Sequence, residues 1–265
     1  MSDLITLVIG TLALRPYVFV FFAVYAAAAA RDLGLRRALA FTGWAWAVAF
    51  LAEFSSTRTG IPFGLYHYTL ATRGQELFLA NVPLMDSLSF TFLAYAAFCV
   101  ARLGLGRSGG APVVLLSGVL MMLLDVVIDP LAVRGDRWFL GQIFHYPGGG
   151  VYFGVPLSNF VGWAVVGWVI VGGFLGLSSL VGAVGEPTQM PIPGAALYYG
   201  VLAFNLAVTW WIGEPLLLAA GLALHAATLL MLVLLRRARA VALVASCTRS
   251  DMAASSGDGV PLRVS

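Results

Sequence analysis

Apolar runs of roughly membrane-crossing length alternate with short polar breaks along this chain, and that alternation sets its architecture. A helix needs about 20 predominantly apolar residues to cross the hydrocarbon of a bilayer. Such runs lie at roughly 4–30, 37–53, 81–102, 111–128, 155–182, 194–211 and 215–235. They predict an all-α fold, a polytopic transmembrane helix bundle of about seven spans that occupies residues 1–240 as one domain. The Ser, Gly and Asp of residues 241–265 predict a disordered cytoplasmic tail. Arg15-Pro16 interrupts the first run and predicts a kink or a late start. Only Ile212, Gly213 and Glu214 separate the last two runs.

Composition agrees. Of 265 residues 60% are hydrophobic and 10% charged, with mean hydropathy +0.93. A soluble domain carries about a quarter charged residues, so lipid is the expected solvent. The first run lacks a basic lead-in and a small-residue cleavage site, and is therefore expected to stay as a span. All fifteen basic residues are Arg. Their placement in short loops argues for the positive-inside pattern of membrane proteins and against nucleic-acid binding. With the N-terminus outside, Arg31, Arg36, Arg37, Arg102, Arg107, Arg236, Arg237 and Arg239 fall inside, against Arg58, Arg73, Arg134 and Arg137 outside. The expected setting is a bacterial or archaeal cell membrane, with the C-terminus in the cytoplasm. Cys99 and Cys247 have no metal-ligand spacing.

That orientation puts the two long loops, 54–80 and 129–154, on one side with the polar helix ends that flank them. Glu53, Asp86, Asp125, Asp129 and Asn159 gather there, and Asn205 and Glu214 join them. Carboxyls at membrane depth are costly and mark function by default. Asp125 and Asp129 are four apart and share one helix face. Both lie near a helix C-terminus among apolar neighbours, where a carboxyl is placed to keep a proton and serve as a general acid. Asp125, one turn deeper, is the expected donor, Glu53 its rival, and Asp129 the residue expected to position the loop. Asp86 follows Asn81-Val-Pro83 at a helix start, whose positive end favours a charged carboxylate that orients water or balances a cation.

Tyr66, His67 and Tyr68 offer aromatic faces with polar tips in loop 54–80. The glycines of Phe144-His-Tyr-Pro-Gly-Gly-Gly-Val-Tyr-Phe-Gly-Val-Pro156 allow a segment that bends back into the protein. His225, alone in the last span, reads as a hydrogen-bonded packing residue, and Gly172 and Gly176 as a weak helix-packing pair. Walker, dinucleotide, Gly-x-Ser-x-Gly and His-Glu-x-x-His motifs are absent, and three histidines are too few for a multi-His iron site. Acid–base chemistry without a cofactor, on a molecule that lives in the bilayer, is what remains.

Glu53 with Gly60-Ile-Pro-Phe-Gly-Leu-Tyr-His-Tyr68, Val82-Pro-Leu-Met-Asp86, Asp125-Val-Val-Ile-Asp-Pro-Leu-Ala-Val133, Trp138 and Tyr152-Phe-Gly-Val-Pro-Leu-Ser-Asn-Phe-Val-Gly-Trp163 together resemble the membrane carotenoid hydratases. That group includes the bacterioruberin-pathway hydratases and the γ-carotene 1′-hydratases, and the resemblance covers about residues 15–235. It implies a hydro-lyase that adds water to the terminal double bond of a linear or monocyclic carotenoid. The acid protonates the alkene, a tertiary carbocation forms, and water captures it. Tyr66, Tyr68, Trp138, Tyr152 and Trp163 are then candidates to stabilise the cation, and Asn159 or a second carboxylate to hold the water. No metal or organic cofactor is implied. The partners implied are the carotenoid, the membrane and other enzymes of the pathway.

Two other classes compete. A prenyltransferase would use Asp125 and Asp129 to hold Mg²⁺, with Arg134 and Arg137 on a diphosphate. A carotenoid end-group cyclase would share the cation and lose a proton. A proton-coupled transporter would need acids spread across the bilayer, whereas here they cluster on one face.

Overall fold

A computed structural model describes residues 3–180 and 191–256 of the chain. Eight helices run in order: α1 (Leu4–Leu14), α2 (Pro16–Leu33), α3 (Leu35–Thr59), α4 (Leu84–Leu105), α5 (Ala111–Ala132), α6 (Leu157–Leu180), α7 (Ile192–Trp211) and α8 (Pro215–Ser256). All but α1 are long and apolar enough to cross a membrane. The chain is an all-α, polytopic integral membrane protein. The expected long first span is divided at Arg15, because Pro16 has no N–H to continue a helix and instead opens α2. The helix of α8 continues to Ser256, past the boundary expected at 240, through the helix-forming stretch Ala238-Arg-Ala-Val-Ala-Leu-Val-Ala245. Residues 257–265 of the expected tail lie outside the described residues.

Two helices also outrun their expected ends, and this matters for the site. α3 continues to Thr59 before Gly60, in the left-handed region at φ 79°, closes it with an N–H to the Ser56 carbonyl. Glu53 therefore sits well over a turn inside the helix and is buried. Pro130 lies within α5, which carries on to Ala132. α4 is the hub: 78% of its span is buried inside the protein, against 22% for α8. A buried ion pair, Arg102 with Asp32 at 2.6 Å, ties the C-terminal end of α4 to α2, and the Tyr95 hydroxyl donates to the same carboxylate. Arg102, expected in a loop, is thus part of a helix.

The two long loops meet. Strand β1 (His67–Tyr68) pairs antiparallel with β4 (Phe144–His145), His67 opposite His145 and Tyr68 opposite Phe144. Between them, β2 (Phe78–Leu79) and β3 (Val82–Pro83) form a hairpin that feeds directly into α4. The glycine run 148–150 does not turn inward as expected; it stays at the exposed rim, and the buried residues on either side are Phe144, Tyr146 and Val155. Aromatic rings gain more from burial than a bare glycine backbone does. His225 packs as expected, with Nε2 3.0 Å from the Leu123 carbonyl.

α5 and α6 pack most closely; Gly172 of the expected pair lies against Val114 of α5, and the backbones come nearest at Gly167 and Gly118. A Cβ on Gly172 would lie 3.4 Å from Val114 Cγ1, whereas one on Gly167 would lie 2.8 Å from Gly118 Cα. Close backbone approach at small residues is how helices associate without a hydrophobic drive in lipid. Gly167→Val is therefore expected to lower the stability of the detergent-solubilised protein by about 1–3 kcal/mol, read as a lower thermal midpoint.

Candidate active site

The loop-bearing end of the bundle encloses a cavity of about 140 Å³. Its wall is mostly aromatic, interrupted by Glu53, Asp86 and Asp129, by Asn159 and Asn205, and by Arg15. Helix ends explain the convergence: α3 and α5 reach this face with their C-terminal halves and deliver Glu53 and Asp129. α4 and α6 begin here and deliver Asp86 and Asn159 from their first turns.

Glu53 accepts hydrogen bonds on both oxygens, from the Tyr68 hydroxyl at 2.9 Å and from Ser87. Asp129 receives a longer one from Tyr146, at 3.3 Å. Asp125 is wholly buried behind Asp129 and in side-chain contact with it; its Oδ2 accepts from Asn159 Nδ2 at 2.6 Å. The pair is expected from sequence to present Asp125 as donor and Asp129 as the residue that positions the loop, and the cavity is reached by the other member. Asp129 is on the cavity wall and Asp125 is not, because the cavity lies at the loop end of α5 and the outer of two carboxyls on one helix face reaches it first.

Asp86 shares the Tyr68 hydroxyl with Glu53 and is also held by a second group. Arg15, at the α1–α2 break, grips Glu76 with two nitrogens at 3.1 and 2.9 Å and reaches Asp86 with a third at 2.5 Å. Arg15 and Glu76 are almost fully enclosed, while the Asp86 side chain keeps 18% of its surface open. Thr11 of α1 accepts from the Leu77 N–H at 2.9 Å, which holds the Glu76 loop against the break.

The aromatic rings close the roof. Tyr66 and Tyr68 lie 5.4 Å apart edge to face, and Tyr66 stands 5.8 Å from Tyr146. Phe90 stacks on Trp163 at 4.2 Å, with Phe63 beside them. Burial, and then the neighbouring Glu53 carboxyl, push the Tyr66 and Tyr68 phenols up; burial and Asp129 do the same to Tyr146. All three therefore stay protonated, and Tyr68 and Tyr146 serve as hydrogen-bond donors to the carboxyls.

Of the residues expected to bind substrate, Tyr66, Tyr68, Trp138, Asn159 and Trp163 line the cavity. His67 does not: strand alternation turns it outward, its ring 6.0 Å from that of His145. Tyr152 packs instead against Phe153 and Phe160 outside the lining. Sequence reading assigned Arg15, Glu76, Ser87 and Tyr146 no place in the site, and put Asn205 only on the same face. Arg15 carried a signal, a charge beside proline inside an apolar run; Glu76 in a polar loop carried none. Arg134 and Arg137 both pair with Glu214, at 3.2 and 2.6 Å, so neither faces the Asp125–Asp129 pair.

Comparisons with known proteins bear on this geometry. A family model described as "Carotenoid biosynthesis protein" matches residues 6–233. Bisanhydrobacterioruberin hydratase of Haloarcula japonica is 32% identical over 121 residues, which is 45% of this chain and 38% of that protein. The match thus spans well under half of the relative's length. No solved structure matches the chain.

The Asp125–Asn159 contact yields a test of its own. Asn159→Leu removes the hydrogen bond to Asp125 Oδ2 and leaves a buried carboxyl without its amide donor. A loss of about 1–3 kcal/mol is expected, measured by thermal or denaturant unfolding in detergent. The double variant Asn159→Leu with Asp125→Leu should recover part of that loss.

Proposed function

Because the chain belongs to the carotenoid biosynthesis protein family, we propose that it is a carotenoid hydratase, a cofactor-independent hydro-lyase that adds water to the terminal double bond of a linear or monocyclic carotenoid. The observation that carries this reading is the mixture in the cavity wall. Acids backed by hydroxyl donors sit among aromatic faces, with room for an apolar chain end. The hydratase of Haloarcula japonica supports the reaction class.

In this reading the Asp125–Asp129 pair holds the proton. Two carboxyls in contact cannot both ionise cheaply in a low-dielectric site, and Asp129 is the member that reaches the cavity. Its proton passes to the less substituted carbon of the terminal C=C. The electron pair of the double bond forms the new C–H bond and leaves a tertiary cation. The faces of Tyr66, Trp163 and Trp138 stabilise that cation, as does the carboxyl of Glu53. A water oxygen then bonds to the cationic carbon and gives up a proton to a carboxylate, so the net change is one added water. We place this end of the bundle outside the cytoplasm, with the C-terminus within, on the distribution of Arg.

The alternatives fit less well. Prenyl transfer needs a diphosphate grip beside the paired aspartates, and Arg134 and Arg137 are engaged with Glu214 instead. Among the described residues the cavity acids gather at one end of the bundle, and the buried Asp32 at the other end is held by Arg102, which argues against a proton-coupled carrier. A cyclase would use the same cation, but its product keeps the mass of the substrate.

Asp129→Asn is expected to lower hydration by about 10²–10⁴-fold, the usual contribution of a general acid. Glu53→Gln is expected to lower it at least about tenfold, and Asp125→Asn, which acts through Asp129, by less than Asp129→Asn. Conversion of a linear carotenoid is measured at matched protein levels in the membrane. Wild-type conversion by both Asp129→Asn and Glu53→Gln would remove this acid site.

A further inference from the structure

Three carboxyls face the cavity, and their surroundings differ in kind. Glu53 and Asp129 sit toward the C-terminal ends of α3 and α5, where the helix carbonyls oppose negative charge. Their hydrogen-bond partners, Tyr68, Ser87 and Tyr146, are neutral hydroxyls. Asp86 lies in the first turn of α4, where free backbone N–H groups favour an anion. It shares the Tyr68 hydroxyl with Glu53, and it alone of the three pairs with Arg15, the cation that lines the cavity among the described residues, at 2.5 Å.

The Arg15 group is built to do more than neutralise. Glu76 takes two of the guanidinium nitrogens and fixes the plane of the fork, so the third nitrogen meets one oxygen of Asp86 at a set angle. Arg15 and Glu76 together carry no net charge. Asp86 is left as the anionic member, with part of its carboxyl open to the cavity. A cation formed nearby meets a net negative group there, although an arginine lines the wall.

From this arrangement we propose that Asp86 is the carboxylate that holds and deprotonates the attacking water, and that Arg15, locked by Glu76, is the positioning residue that aims it. The proposal rests on the hydratase reading above and divides its two half-reactions between two walls. The Asp125–Asp129 pair gives a proton to carbon. The water oxygen then forms its bond to the tertiary carbon while one of its O–H bonds breaks and the proton moves to Asp86. Exchange through the cavity returns that proton to the donor pair, so atoms and charge balance. Environments that drive like groups apart in this way are how one site runs acid and base steps together.

The two steps can be separated in D₂O. A cation that is formed but not captured returns to alkene by losing a proton, so recovered substrate gains deuterium. Asp86→Asn, isosteric with the native residue, is expected to cut hydration at least about tenfold while deuterium still enters recovered alkene at or above the wild-type rate. Arg15→Lys, which keeps the charge and loses the fork, should show the same split to a smaller degree. Asp129→Asn should lose both hydration and exchange. Each variant is assayed in membranes at measured protein level with a linear carotenoid bearing a terminal trisubstituted double bond. Parallel loss of hydration and exchange in Asp86→Asn at wild-type protein level overturns the proposal, as does unchanged hydration. Absence of both reactions in the wild-type protein overturns the hydratase reading itself, an outcome that the variants cannot mimic.

Discussion

Glu53, Glu76, Asp86, Asp125 and Asp129 crowd with the Arg15 guanidinium around the cavity at the water-poor end of this bundle. A low-dielectric site tolerates few unpaired charges, so such a group is stable only where protons, hydrogen bonds and helix ends divide the charge between them. The structure supplies each. Tyr68, Ser87, Tyr146 and Asn159 donate to the acids, and Arg15 serves two carboxyls at once. Removing one member therefore changes the charge state of its neighbours, and single-residue effects here are not expected to add.

The rest of the fold holds this cluster in place. α4, the most enclosed helix, carries Asp86 and Ser87 into the centre and is pinned at its far end by Arg102 to Asp32. The α5–α6 glycine contact brings Asp125 within reach of Asn159. The β1–β4 pair locks the two long loops together, so that Tyr68 of one and Tyr146 of the other roof a single cavity. Strain or slippage in any of these would move a donor away from its carboxyl and leave a buried charge uncompensated.

Much of this was legible in the chain. Apolar run length found the seven spans because lipid leaves few other solutions. The rarity of acids in such runs singled out Glu53, Asp86, Asp125 and Asp129 as one group. Finer placement was not legible, for physical reasons. Whether Asp125 or Asp129 reaches the cavity depends on where α5 ends, and Pro130 does not stop that helix. His67 and Tyr68 are adjacent in sequence and opposite in direction, and only strand pairing decides which faces inward. Arg15 and Glu76 are 61 residues apart, and nothing local in the chain marks them as partners.

The central claim is that the buried acids deliver a proton to carbon and that water completes the reaction. It is tested most directly with the purified protein in lipid, a linear carotenoid and water enriched in ¹⁸O. The account predicts a more polar product, heavier than the substrate by one molecule of water and carrying the heavy oxygen at the terminal tertiary carbon. A product of unchanged mass, as a cyclised isomer would be, contradicts it.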